Sequence, residues 1–170
     1  MNRFILSEDP QEAAKYHNDK HVVKMILEEA QMLSTVHQLS LSDIYPDAAS
    51  MLYRPTHRNH PCVVWLQQST ENYFWALRLF ESLAAEYTFR YGKQHKSFGL
   101  HGLFIYPPPE TPTVGMTPFP LAMPEYCKKE NPVESYRTYY VMEKRNLAHW
   151  TRREQPAWWE HQQSLMAVLA

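Results

Sequence analysis

Seven polar residues near the start of the chain share one side of a helix. At about 100° per residue, His17, Lys20, His21, Lys24, Glu28, Gln31 and Thr35 fall within about 60° of one line. The opposite side carries Val22, Ile26, Ala30 and Leu33, with Val23 and Leu27 widening the apolar stripe. The plainest reading is therefore a solvated face above a buried one. Its composition suggests more. Solvated faces mix Glu, Lys, Ser and Ala, whereas this one alternates histidines and lysines around a single carboxylate, Glu28. That is a set suited to proton transfer or to holding an anion. As a plain i, i+4 ion pair, Lys24 and Glu28 contribute only about 0.2–0.5 kcal/mol. His17 and His21 also have the spacing of helical metal ligands. The intervening Asn18-Asp19-Lys20 lacks the glutamate of HExxH, and two lysines share the face, so no metal is expected.

Three further basic groups stand at predicted helix ends. Tyr53-Arg54-Pro55-Thr56-His57-Arg58-Asn59-His60-Pro61 is a histidine-rich turn running into a helix N-terminus, where free backbone N–H groups attract phosphate. His57, Arg58 and His60 are its candidate phosphate ligands; the alternative is that Asn59 or His60 merely caps the helix. Arg90, Lys93, His95 and Lys96 follow the end of that helix. Arg137, Lys144, Arg145, Arg152 and Arg153 are interleaved with Tyr136, Tyr139, Tyr140 and Trp150. Basic residues among exposed aromatics suit single-stranded or unstacked nucleic acid. For each group alone, the competing reading is a solvated helix face beside a core aromatic stripe.

The elements that must position these residues are predicted to be helices. Asp9 can cap and Pro10 can open a helix reaching about His37, with a possible break at Asn18-Asp19, where Asp19 would cap the second piece. From Gln38 to Asn59 the pattern dissolves into Ser40, Ser42, Asp43, Pro46 and Asp47, a surface loop with room for a short helix over Asp47 to Tyr53. His60-Pro61 opens the longest periodic run, through Val64, Tyr73, Leu77, Phe80, Ala84 and Tyr87, until Gly92 stops it. Lys93 to Cys127 holds most of the prolines and is expected to wrap the helices in extended form, pinned by Phe98, Leu100, Leu103, Phe104, Ile105, Phe119, Leu121 and Met123. Asn131-Pro132-Val133-Glu134 signals another helix to about Trp150, and a short terminal helix follows Pro156. The expected fold is all-α, a compact bundle of about three main helices with a long proline-rich wrapping segment, in one domain over residues 1–170.

Composition bounds the function. The 170 residues include 13 prolines, only 4 glycines and 2 cysteines, with a formal net charge of −1. So few glycines, in no GxGxxG or GxxxxGK[ST] pattern, exclude the usual Rossmann and P-loop phosphate cradles. Cys62 and Cys127 make no disulfide framework, and neither a leader over Met1 to Pro10 nor an apolar run of about 18 residues is present. A cytoplasmic protein with no membrane partner is expected. Near-zero charge argues mildly against nucleic acid, but a local basic face is compatible with it.

Side by side, these residues resemble a family of phage and bacterial proteins distantly related to pyrimidine dimer DNA glycosylases of the endonuclease V type. Sparse anchors cover most of the chain: Asp19-Lys20-His21-Val22-Val23-Lys24 with Glu28 and Gln31, Asn59-His60-Pro61 with Trp65, Glu86 with Arg90-Tyr91-Gly92, Tyr136-Arg137 with Lys144, and Pro156-Ala157-Trp158. The resemblance implies a compact all-α fold and an N-terminal amine that attacks the sugar carbon of a damaged nucleotide. A Schiff base forms with help from a glutamate, here Glu28. The amine would be that of Met1. Asn2 is bulky, so Met1 is expected to stay where the family has a small processed residue, and Lys20 or Lys24 would then replace the amine or hold phosphate.

The first expectation is accordingly a DNA-acting enzyme on a damaged or modified pyrimidine nucleotide, needing no cofactor. Glu28, Lys24, His21 and Met1 would be catalytic. His17, Lys20, Gln31, His57, Arg58, His60, Arg90, Lys93, His95, Arg137 and Lys144 would bind substrate or phosphate. The catalytic reading requires Lys24, His57, His60 and Met1 to converge on Glu28 in one cleft. The alternatives are a group-transfer or hydrolytic enzyme on a modified nucleotide or phosphorylated small ligand, and a non-catalytic DNA-binding or protein adaptor.

Overall fold

Asp9 and Pro10 start the first helix as their types dictate. The Asp9 carboxylate accepts the N–H groups of Gln11 and Glu12, and α1 runs Pro10–Tyr16. The computed structural model describes residues 1–41 and 46–169, with side chains to residue 164. His17 then takes extended backbone (φ −64°, ψ 134°) and ends α1. Asn18, rather than Asp19, restarts the chain by accepting the His21 N–H at 2.9 Å, and α2 runs Asp19–Leu41. The predicted helix end at His37 is thus four residues short. A short α3, Pro46–Met51, stands in the loop where a short helix over Asp47 to Tyr53 was allowed, beginning one residue and ending two residues earlier, while Ser42 and Asp43 fall outside the described residues.

The longest predicted helix is two. After α4, Pro61–Gln68, Ser69 adopts extended backbone (φ −162°), accepts the Glu71 N–H and so caps α5, Thr70–Tyr91. Gly92 stops α5 in the left-handed region (φ 68°), as its type and place predict. α5 packs against α1, α2 and α4, and the core between them holds Ile26, Leu33, Trp65, Tyr73 and Phe80. Val23, Leu27 and Val64 were expected in that stripe but are exposed. α6, Pro132–Lys144, is capped by Asn131 and stops six residues before the predicted Trp150, and α7 runs Ala157–Leu169.

The proline-rich segment is pinned by hydrogen bonds as well as by apolar contact. Thr70 N–H donates to Pro112 O at 2.8 Å, Thr117 N–H to Asn72 Oδ1 at 3.0 Å, and Tyr136 O–H to Pro120 O at 2.7 Å. Phe119 packs against Trp65 and Trp75. The segment is not wholly extended, because Lys96–Leu103 and Glu125–Cys127 are 3-10 turns. Ile105 is exposed rather than pinned. All regular structure among the described residues is helical, and none of those helices is long and apolar enough to cross a membrane.

Candidate active site

Consecutive residues on a helix point about 100° apart, so Glu28 and Glu29 can grip the N-terminal segment from two directions. Glu29 takes Arg3, with Nε to Oε1 at 2.8 Å and Nη2 to Oε2 at 2.7 Å, both side chains fully buried. The Arg3 guanidinium also lies over the Trp65 ring at 5.2 Å. Burial alone would lower the Arg3 pKa, but the charge and hydrogen bonds of Glu29 hold it above the ordinary value. Glu28 takes the residues just before Arg3. Its Oε2 accepts the Asn2 N–H at 2.8 Å, while Oε1 lies 3.9 Å from the Met1 amino nitrogen and 3.2 Å from Lys24 Nζ. Asn2 Nδ2 donates to Ala122 O at 2.9 Å, tying the same segment to the proline-rich wrap.

These contacts leave a cleft of about 240 Å³. α2 contributes His21, Lys24, Met25 and Glu28, the N-terminal segment Met1, Asn2 and Phe4, and α6 Tyr139 and Lys144. Phe4 stacks on His21 (centroids 4.6 Å apart, 17° between planes) and on Tyr139 (5.8 Å, 24°), and Lys144 Nζ lies 5.0 Å from the Tyr139 ring centre. His21 Nδ1 is 2.7 Å from Tyr140 Oη. Burial first, then the charges of His17, Lys144 and Lys24, push the His21 pKa down to about 3. The site therefore joins one carboxylate, two amines beside it, a further lysine and a neutral imidazole.

The polar face of α2 is not the solvated surface its pattern allowed. His21, Glu28 and Thr35 are buried, Gln31 is half-buried, and only Lys20 and Lys24 of the seven are exposed. Thr35 ties α2 to the basic turn, accepting the Thr56 N–H at 3.1 Å. His57 and Arg58 are exposed in that turn, with His57 in the left-handed region (φ 49°). His60 Nδ1 accepts the Cys62 N–H and caps α4. Burial, then the Met1 amine, His57 and Arg3, lower the His60 pKa, which places its ring within electrostatic reach of the site. Of the four groups required at Glu28, Met1 and Lys24 line the cleft; His57 and His60 do not.

Several expected ligands have internal duties instead. His17 is fully buried, with Nδ1 2.6 Å from Ala13 O, so it faces no phosphate. Arg90 is buried and commits all three nitrogens, to Glu86 Oε1, Asp19 Oδ1 and Lys15 O. Arg137 donates to Leu6 O at 3.0 Å and packs beside the Tyr16 and Trp158 rings, which touch each other edge-on. His95 caps the Lys96–Leu103 turn and packs on Tyr87. Lys20 and Lys93 are exposed and, like Gln31, do not line the cleft. In the third basic group Tyr136, Tyr140 and Trp150 are core residues, and Arg153 pairs with Glu86. The aromatic stripe is therefore buried rather than a stacking platform, except for half-buried Tyr139.

Neither type nor spacing marks Asn2, Arg3, Phe4, Glu29 or Ala122 as residues of the cleft or its anchor. A signal of burial nonetheless existed for two of them: an arginine directly before the apolar run Phe4-Ile5-Leu6 calls for a buried carboxylate, and Glu29 is an acidic residue beside the apolar stripe. Among the described residues no group of three or more His, Cys, Asp or Glu is arranged to hold a metal ion. Cys62 and Cys127 are free and buried, and burial pushes the Cys62 thiol up to about 11, which makes it unreactive. Comparison of the chain with protein-family models, with curated proteins and with solved structures gives no match in any of the three.

Proposed function

We propose that the cleft at Glu28 is the active site of a DNA-acting enzyme similar in chemistry to pyrimidine dimer DNA glycosylases, working on a damaged or modified pyrimidine nucleotide. The observation that carries this reading is the placement of two amines, Met1 N at 3.9 Å and Lys24 Nζ at 3.2 Å, on one buried carboxylate oxygen. An unprotonated amine forms a bond to the sugar C1′ as the glycosidic bond breaks. The electron pair leaves on the base nitrogen, which takes a proton from water. Glu28 stabilises the positive charge developing on the sugar, accepts the proton lost by the amine and passes it to O4′, whose bond to C1′ breaks as the nitrogen lone pair forms the protonated imine.

Support for a nucleic-acid ligand comes from the cations around the cleft. Lys24 and Lys144 line it, exposed Lys20 stands one helical turn before Lys24 on α2, exposed Arg145 follows Lys144, and exposed Arg58 sits in the turn before His60. Because His57 and His60 stand outside the cleft, the catalytic reading that needs all four groups at Glu28 fails in that form, and the reading proposed is a narrower one carried by Met1, Lys24 and Glu28. His57, His60 and Arg58 are assigned to backbone binding. Access to a stacked nucleotide requires extrusion from the duplex. Borohydride reduction in the presence of oligonucleotides carrying an abasic site or a damaged pyrimidine tests the chemistry. The expected result is a covalent protein–DNA adduct, and its absence with every lesion tested defeats the proposal.

A second reading, an enzyme acting on a phosphorylated small ligand, is favoured by one feature. Two lysines and the Met1 amine oppose a single carboxylate in a cleft of about 240 Å³, the scale of one nucleotide fragment. It predicts thermal stabilisation by mononucleotides without affinity for DNA. An adaptor role predicts that Glu28→Gln leaves function intact.

A further inference from the structure

His21 is a cleft residue whose hydrogen-bonding role is fixed by its neighbours. Tyr140 Oη accepts the Asn18 N–H at 3.0 Å and lies 2.7 Å from His21 Nδ1. Tyr140 is fully buried, and burial raises its pKa, so the hydroxyl keeps its proton. With one side of the oxygen filled by Asn18, His21 Nδ1 is the acceptor in reach of that proton. A neutral imidazole that accepts at Nδ1 carries its own proton on Nε2.

Burial first, and then the cationic groups beside it, keep the ring neutral. His17 and Lys24 face it from either side along the chain, Lys144 from α6, and Phe4 covers one ring face. Tyr139 and Tyr140 complete the α6 side, and Glu28, with the Met1 amine, stands farther along the cleft. Among the described residues Nε2 has no hydrogen-bond partner and, unlike His17 Nε2, is not sealed from solvent, while the ring lines the cleft.

We infer that His21 is a tautomer-locked, neutral hydrogen-bond donor whose Nε2–H binds an acceptor oxygen of the ligand, a ring carbonyl when that ligand is a pyrimidine nucleotide. The inference rests on the ligand-binding reading of the cleft. It gives Tyr140 the part of a positioning residue and leaves Glu28 as the group that moves protons. A donor of fixed polarity also selects. A ligand that presents N–H at this point leaves two donors facing each other, whereas one that presents a carbonyl is bound.

Nitrogen-15 NMR of histidine-labelled full-length protein tests the donor without reference to catalysis. His21 is expected as the neutral Nε2–H form from pH 7 to pH 5, and its Nε2–H signal is expected to shift on addition of thymidine 5′-monophosphate or an abasic-site oligonucleotide. Tyr140→Phe is expected to admit the Nδ1–H form. His21→Gln, which keeps a neutral donor, should bind the nucleotide within about threefold of wild type, and His21→Ala about tenfold more weakly. An Nδ1–H ring in the wild type, protonation midway near the ordinary imidazole value, or no shift with either probe overturns the inference. A protein that forms no borohydride adduct but shows the tautomer and the shift refutes the glycosylase reading and keeps the donor. A protein that forms the adduct with the other tautomer does the reverse.

Discussion

Arg3 and Glu29 meet through two hydrogen bonds, of 2.8 and 2.7 Å, with neither side chain open to water. This pair is the anchor that lets Glu28, the next residue along α2, receive the Asn2 N–H and face the Met1 amine. Removing one partner strands the other as an unpaired buried charge. Arg3→Ala and Glu29→Ala are expected to cost about 3–5 kcal/mol in urea unfolding. Arg3→Lys, which keeps the charge and loses the fork, should cost less. A loss below about 1 kcal/mol for either alanine variant contradicts the anchoring role.

Histidines held neutral in the core make stability depend on pH. Burial lowers the pKa of His17 and of His37 from 6.5 to about 4. The unfolded chain therefore binds more protons than the folded one between those values. The stabilisation is complete above pH 6.5 and is lost as pH falls through about 4, on the order of 3 kcal/mol for each ring. Asp19 and Glu86, whose pKa values are lowered by hydrogen bonds from Thr151, Arg90 and Arg153 that outweigh burial, add their losses at still lower pH. His37 Nε2 lies 2.7 Å from Tyr73 Oη, and Tyr73 O–H donates to Phe104 O. His37→Phe leaves that donor satisfied, so it is expected to flatten the melting-temperature profile between pH 6.5 and 4 at a cost of about 1 kcal/mol at neutrality. An unchanged slope contradicts the assignment.

Gly92 ends α5 at φ 68° with its N–H donating to Thr88 O at 2.8 Å, and a Cβ there would meet open space. Only backbone strain is left to oppose a side chain. Gly92→Ala is therefore expected to destabilise by about 1 kcal/mol in chemical denaturation, with Gly92→Asn milder. A stabilised alanine variant contradicts the left-handed stop.

Glu28→Gln separates chemistry from folding. The amide keeps an acceptor for the Asn2 N–H but cannot take a proton or stabilise a cation as a carboxylate does. Single-turnover trapping with borohydride is expected to slow by about 100-fold or more, with thermal stability near wild type. Equal rates contradict a catalytic Glu28.

Local chemistry made the ends of helices legible. Asp9-Pro10, Asn131-Pro132 and Gly92 act within a turn of themselves, so residue type alone located them. The break at Ser69 was hidden because the apolar period runs straight across it. Its extended backbone is supported by a hydrogen bond from Ser69 Oγ to Gly115 O, 46 residues away. The α2 face was found as a line of polar residues, but its burial was not. What covers it is the N-terminal segment and Tyr140, 119 residues beyond His21, and periodicity carries no record of such partners. Arg90, buried with all three nitrogens committed, was not legible as an internal residue for the same reason. A basic residue at a helix end reads alike whether it faces water or, as Arg90 does, the carboxylates of Glu86 and Asp19.

The central claim is that an amine at Glu28 reacts with the sugar of a nucleotide. Peptide mass spectrometry of the borohydride-reduced complex with an abasic-site oligonucleotide tests it most directly. The sugar remnant is expected on the Met1 amine or on Lys24 Nζ, the amines 3.9 and 3.2 Å from Glu28 Oε1. No adduct, or adducts scattered over exposed lysines such as Lys93 and Lys128, would contradict it.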